Sequence, residues 1–196
     1  MKYPEYIQKL IESFSKFPSV GPKTAERYVF YLLNQKTVQV KELASFISSL
    51  PDNIKRCSIC RTFSDSDPCP ICGDKKRSPE ILCIVENSQD LAVIENTKQF
   101  NGRYFVIDRL LNTLENIGPD QLPLKELKEL INANKVKELI LGLNFTLEGE
   151  STSLFLKKTF PEIKISRLAR GLPAGSDLEY ADELTLANAL KYRNTL

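Results

Sequence analysis

Residues 57 to 72 read Cys57-Ser58-Ile59-Cys60-Arg61-Thr62-Phe63-Ser64-Asp65-Ser66-Asp67-Pro68-Cys69-Pro70-Ile71-Cys72, two C-x-x-C pairs separated by eight residues. This stretch divides the chain into two differently patterned parts. Each pair lets one tight turn aim two sulfurs at a single point, so four thiolates can close one tetrahedral site around Zn²⁺. Pro68, Pro70 and Gly73 supply the restricted backbone such turns need. The segment is too short and too polar to bury a core of its own, so metal ligation is expected to order it. A redox or disulfide pair is the alternative, but a redox C-x-x-C normally stands alone beside a βαβ pattern. One structural Zn²⁺ per chain is therefore expected, with Cys57, Cys60, Cys69 and Cys72 as its ligands. All four positions are sulfur, which leaves none open for water and makes the site a scaffold.

On the N-terminal side the pattern is helical. Tyr6, Ile7, Leu10, Ile11 and Phe14 keep helical spacing until Phe17-Pro18-Ser19-Val20-Gly21-Pro22 breaks it. A second helix restarts at about Lys23 with Ala25, Tyr28, Val29 and Leu32 on its apolar face. A third runs from about Val38 to Leu50, with Thr37 as candidate N-cap and Pro51 following. The turn before Lys23 presents backbone N–H groups at a helix start, a place that favours anions. It resembles a helix-hairpin-helix module, which grips DNA phosphates without reading sequence. Lys23 and Arg27, one helical turn apart, would add cations on the same side. Ser19 stands where that module carries its first glycine, so the backbone there is expected to be strained or reshaped. An ordinary helical hairpin docked on a core is the alternative reading.

Beyond Ser78 the texture becomes α/β. Ile81 to Val85, Tyr104 to Ile107, Val136 to Leu141 and Ile163 to Ser166 read as strands. Helices fit between them at about Gln89 to Asn96, Leu124 to Asn132 and Gly149 to Phe160, with a last one at about Leu184 to Tyr192. This alternation predicts a mostly parallel sheet covered on both faces. Cys83, the fifth cysteine, lies in an apolar run and reads as a small core residue.

Composition excludes several classes. The chain has 196 residues and no histidine, so the usual serine and cysteine hydrolase arrangements and His-ligated metals are out. No stretch approaches the length of about 20 apolar residues that spans a bilayer, and the mixed N-terminus does not read as a signal peptide. A reducing, cytoplasmic and nucleoid-associated location is expected. Residues 1–79 hold 13 Lys and Arg against 8 Asp and Glu, whereas residues 80–196 hold 14 against 17. The N-terminal part therefore faces anions. Lys55, Arg56, Arg61, Lys75, Lys76 and Arg77 flank the cysteines and are expected either to extend a DNA-facing surface or to form a solvated rim.

Glu86 follows the first strand, and Gly142-Leu143-Asn144-Phe145-Thr146-Leu147-Glu148-Gly149-Glu150 follows another and opens a helix. Both map to strand C-termini, where α/β sheets place their sites. The arrangement resembles a Toprim domain, in which a glutamate and a D-x-D pair hold Mg²⁺ for phosphodiester chemistry. Asn144 and Thr146 occupy the D-x-D positions, so two negative charges are lost and the domain reads as catalytically emptied. Glu86, Glu148 and Glu150 remain as acids that could dock basic partners, and the latter two also suit the first turn of a helix.

The order hairpin, cysteine quartet, Toprim-like domain and tail, with Arg103-Tyr104-Phe105-Val106, Ile117-Gly118-Pro119-Asp120 and Ser166-Arg167-Leu168-Ala169-Arg170-Gly171-Leu172-Pro173, resembles the RecR family of bacterial recombination mediators. The resemblance covers essentially the whole chain. It implies a mixed α+β and α/β multidomain fold: a helix-hairpin-helix region at 1–54, a C4 zinc finger at 55–78, a Toprim-like domain at 79–174 and a C-terminal tail and helix for subunit contacts at 175–196. It further implies a non-enzymatic DNA repair protein that acts with RecO and RecF to load recombinase onto single-stranded DNA, assembled as a ring-shaped homotetramer. A Mg²⁺-dependent Toprim nuclease or primase-like enzyme is the alternative. Three departures from the family pattern stand out: Asp108-Arg109-Leu110-Leu111 in place of a glycine-rich stretch, Phe145 in place of a proline, and Arg170 where histidine is common. The tail around Asp177, Glu179 and Asp182 has been likened to a Walker B element, but no phosphate-loop sequence accompanies it, so ATP hydrolysis is not expected.

Overall fold

Among the described residues, 3–193 of this computed structural model, three helices make up the first of two units, Met1–Asn53. Helix α1 spans Glu5–Phe14, α2 spans Pro22–Leu33 and α3 spans Thr37–Asn53. Ile11 of α1 and Ala25 and Val29 of α2 form a small core, with Ile7, Phe14 and Val20 packed against it. Phe14 also meets Phe17 and Tyr28 edge-on at 5.8 and 6.1 Å between ring centroids. The third helix departs from expectation at both ends. Thr37 lies inside it and Lys36 takes the cap position, its carbonyl accepting from Gln39 and Val40. At the other end α3 runs through Pro51 to Asn53 instead of stopping before the proline. Pro51 forfeits the bond to the Ile47 carbonyl and its ring crowds that carbonyl, and Asn53 Nδ2 donates to Ser49 O at 2.8 Å to help close the turn. No residue of α3 is fully buried.

The second unit, Ile54–Leu196, begins with a hairpin of two-residue strands, β1 (Lys55–Arg56) and β2 (Phe63–Ser64), followed by the one-turn helix α4 (Pro70–Gly73). There follow β3 (Ile81–Val85), α5 (Ser88–Asn96), β4 (Arg103–Val106), α6 (Leu124–Asn134), β5 (Glu138–Gly142), α7 (Leu147–Thr159), β6 (Lys164–Arg167) and α8 (Glu183–Lys191). The sheet order is β4-β3-β5-β6 and every pairing is parallel, as the alternating pattern predicted. Both faces are covered. Leu82 and Ile84 of β3 join Phe105, Leu127, Ile131, Leu139 and Leu156 on one face, while Cys83 and Val85 join Leu91, Tyr104 and Val106 on the other. Cys83 is thus the core residue expected, and burial pushes its thiol up to about 12.

The cysteine segment lies along the outer edge of β4, where Val106 N donates to Cys60 O at 2.9 Å. It also reaches the start of α5: Ser88 Oγ accepts from Phe63 N at 3.2 Å and from Thr62 Oγ1 at 3.1 Å. No described helix is long and apolar enough to cross a membrane.

Candidate functional site

The four predicted ligands converge. Their sulfurs all lie within 4.8 Å of one another, with Cys60 Sγ and Cys69 Sγ 3.6 Å apart, and all four residues are buried. A tetrahedral site with Zn–S bonds of about 2.3 Å sets its sulfurs roughly 3.8 Å apart, so the quartet fits the metal. Each C-x-x-C closes a turn through its backbone: Arg61 N donates to Cys57 O and Gly73 N to Cys69 O, both at 2.9 Å. Further N–H groups point at sulfur, Cys69 N to Cys57 Sγ at 3.4 Å and Cys72 N to Cys69 Sγ at 3.5 Å. Asp67 braces the first turn by accepting from Ser58 N at 2.8 Å. The Cys72 thiol donates toward Cys60, lowering the Cys60 pKa to about 6 and pushing that of Cys72 up, while burial raises Cys69 to about 11. A full set of thiolates this close together needs a cation among them. The quartet is a structural Zn²⁺ site.

Half of the flanking cations are committed within the unit. Arg56 Nη1 and Arg61 Nη2 each lie 2.7 Å from the Asp108 carboxylate, one on each oxygen. Arg77 pairs with Glu95 and donates to Gly102 O at 3.2 Å. These three arginines brace the unit internally. Lys55, Lys75 and Lys76 have no ion-pair partner among the described residues.

In the helical hairpin, Ser19 adopts φ +61°, the left-handed conformation expected of a position where the module has glycine. Gly21 caps α2 without any side-chain hydrogen bond and Pro22 occupies the first helical position, so the Lys23 and Thr24 amides have no acceptor within the helix. Lys23 is 97% exposed and lies 3.7 Å from Glu26, three residues on. That glutamate also accepts from Tyr3 Oη at 2.6 Å. An internal carboxylate therefore already offsets the cost of a lysine at a helix start, though an exposed pair of this kind is weak. Arg27 leans over the Tyr28 ring at 5.9 Å.

At the C-terminal edge of the sheet, Glu86, Asn144, Thr146 and Glu148 line a cleft of about 690 Å³, walled on one side by residues of the loop 108–117. Asn144 Nδ2 donates to Glu86 Oε2 at 3.4 Å. Burial raises the Glu86 pKa, the Asn144 contact opposes that, and Asp90 and Glu148 add to it. Thr146 serves as N-cap of α7, accepting from Gly149 N at 3.2 Å. Gly149 admits the close loop: a Cβ there would stand 2.0 Å from Asn144 O. Glu150, expected beside the other two acids, is engaged elsewhere. Its carboxylate takes Arg167 Nη1 at 2.7 Å and Arg170, and the hydrogen bond from Arg167 holds it below the usual carboxylate range. Both guanidinium groups lie 4.3 Å from the Phe145 ring centroid, so Phe145 and Arg170, two of the departures from the family pattern, pack together. Among the described residues, the cysteine quartet is the one group of acids and thiols that converges as metal ligands.

Several structural contributors are not apparent from composition or motif. Thr152, fully buried, accepts from Leu111 N at 2.8 Å and so holds the loop 108–117 to α7. Asp108 gathers two arginines from the metal segment. Asn87, by contrast, was detectable as a polar residue between strand and helix, and caps α5 by accepting from Asp90 N at 2.8 Å.

Fold and site together define a zinc-stabilised Toprim-type protein preceded in sequence by a helical hairpin. Family profiles agree along the chain: the RecR helix-hairpin-helix profile matches residues 7–50, the RecR four-cysteine zinc finger domain 54–74, the Toprim domain 80–169 and the RecR C-terminal profile 171–194. A curated relative from Moorella thermoacetica, "Recombination protein RecR", is 43% identical over 198 residues and covers 100% of both chains. Another of the same name from Desulfitobacterium hafniense is 42% identical, covering 100% of this chain and 98% of its own. The chain belongs to the RecR family.

Proposed function

We propose that this chain is a non-enzymatic, sequence-independent DNA-binding mediator of recombinational repair, working in the cytoplasm at the nucleoid. In this reading residues 1–54 grip the phosphate backbone through Lys23, Arg27 and the open start of α2. Residues 55–78 are the zinc scaffold, and residues 79–174 dock basic surfaces of protein partners through Glu86 and Glu148. Residues 175–196 join protomers into a ring tetramer. RecO and RecF are the partners with which it would load recombinase onto single-stranded DNA.

The observation that carries this reading is the hairpin: a left-handed Ser19, an uncapped α2 start and an almost fully exposed Lys23 in one turn. The absence of an enzymatic role is supported by neutral Asn144 and Thr146 and by the commitment of Glu150 to two arginines. Anisotropy titrations of labelled single- and double-stranded oligonucleotides across salt concentration test it. Affinity should fall steeply with salt. Lys23→Glu should weaken binding to all sequences alike and lower the log–log salt slope by about 1 for each phosphate no longer neutralised. Affinity indifferent to both salt and Lys23→Glu would sink the reading. DNA cleavage in Mg²⁺ or Mn²⁺ that disappears in Glu86→Gln would sink its non-enzymatic part.

A further inference from the structure

Asp108 gives the metal segment a side-chain link to the loop of the Toprim cleft, beside the backbone bond from Val106 N to Cys60 O. It follows β4 at the mouth of the Toprim cleft, where its backbone N–H donates to Glu86 O at 2.8 Å. Its side chain turns toward the metal segment instead, taking Arg56 on one oxygen and Arg61 on the other. Those arginines immediately flank the first ligand pair, Cys57 and Cys60. Neither is loosely placed. Arg61 adopts φ +67° as the residue that closes the C-x-x-C turn, and Arg56 donates to Arg61 O at 3.0 Å while its guanidinium covers the Phe63 ring at 4.5 Å. Asp108 itself has φ +66°, a conformation that glycine adopts at no steric cost and that side chains disfavour. A carboxylate kept there needs compensation, and two charge-assisted bonds supply it.

The next residues carry the consequence. Arg109, Leu110, Asn112, Glu115 and Ile117 belong to the loop that walls the cleft containing Glu86 and Glu148. Its far anchor is the Thr152 acceptor on α7. Its near anchor is Asp108, and the arginines that hold Asp108 are oriented by turns that the metal closes.

We propose that Asp108 is a latch coupling the zinc-bearing turn to the loop 108–117, so that metal retention and the shape of the Toprim cleft depend on each other. Coupling of this kind is reciprocal: whatever loosens the loop loosens the metal, and metal loss loosens the loop. The inference is independent of what the cleft binds.

The test uses the full-length, zinc-loaded protein with two readouts, the rate of zinc transfer to a metallochromic chelator and amide exchange in peptides covering residues 107–118. Asp108→Gly removes the latch and suits the backbone, Asp108→Asn keeps the shape and removes the charge, and Glu138→Gln cuts an unrelated surface pair with Lys164. Both Asp108 variants should release zinc roughly fivefold faster or more, the scale of losing one net hydrogen bond. Exchange in 107–118 should rise in both, and removing zinc from the unaltered protein should raise exchange in that same segment. In Asp108→Gly, zinc removal should add less further exchange there than it does in the unaltered protein, because the side-chain connection is already cut. Release within about twofold of the unaltered protein in both variants, less than the change expected from one net hydrogen bond, overturns the proposal. So does a segment 107–118 that ignores zinc removal, or an equal acceleration in Glu138→Gln.

Discussion

Thr152→Val isolates one hydrogen bond that shapes the cleft. Thr152 is fully buried, and its Oγ1 is the acceptor 2.8 Å from Leu111 N. Valine matches threonine in shape and β-branching, so packing in α7 should survive while the part-buried Leu111 amide loses its partner. An orphaned buried donor costs about 1–3 kcal/mol, and at roughly 1.4 kcal/mol per tenfold this is an acceleration of Leu111 amide exchange between about 5-fold and 150-fold. Thr152→Ser provides the contrast. It keeps the acceptor but deletes a buried methyl, which costs about 1 kcal/mol of apolar burial. Urea midpoints of the two variants should therefore fall by similar amounts and cannot tell them apart. Residue-resolved exchange can: valine should expose the Leu111 amide, whereas serine should leave it protected. A Leu111 amide as protected in Thr152→Val as in the unaltered protein would refute the reasoning, as would equal loss of protection in Thr152→Ser.

Acid should loosen the end of β6 and the residues just after it. The Glu150 carboxyl is depressed by Arg167, so its contribution is present above the ordinary glutamate range of about pH 4 to 5 and is lost as pH falls through the lower folded value. Urea midpoints followed from about pH 6 down to pH 3 should show a shallower acid decline in Glu150→Gln, and parallel curves would remove Glu150 from the account. Ser19→Gly should raise the thermal midpoint, by roughly 0.5–1 kcal/mol of stability, because it relieves a side chain held at φ +61°. DNA affinity should be retained or improved in that variant, and a lowered midpoint would mean that the serine side chain contributes something glycine cannot.

The parallel sheet was legible because its strands are short apolar runs bounded by turn residues, and helix-period segments of the right length separate them. The metal ligands were legible because the chemistry of four sulfurs at one point is local in sequence. What escaped the sequence is contact at a distance. Arg56 and Arg61 read as free cations because nothing near them in the chain announces Asp108, which lies 52 and 47 residues away. Glu150 read as an available acid for the same reason, its partners being 17 and 20 residues on, at the end of β6 and just past it. The strands β1 and β2 carry no alternating pattern, since two residues each cannot show one, and it is the ligand turn between them that brings them together. Pro51 misled because proline is disfavoured past the first turn of a helix, yet α3 carries one close to its end.

The bond from Val106 N to Cys60 O bears on something other than cleft or metal. An open parallel sheet has two margins, and each offers unpaired backbone groups to any passing strand. Here β6 forms one margin and carries Lys164 and Arg167, charges that discourage such pairing, while β4, Arg-Tyr-Phe-Val, is the apolar one. The cysteine segment lies against that margin. In a zinc-starved cell an empty quartet would then bare this strand as well as loosen the loop beside it: such chains would begin to stick to one another while the helices and the rest of the sheet still stand.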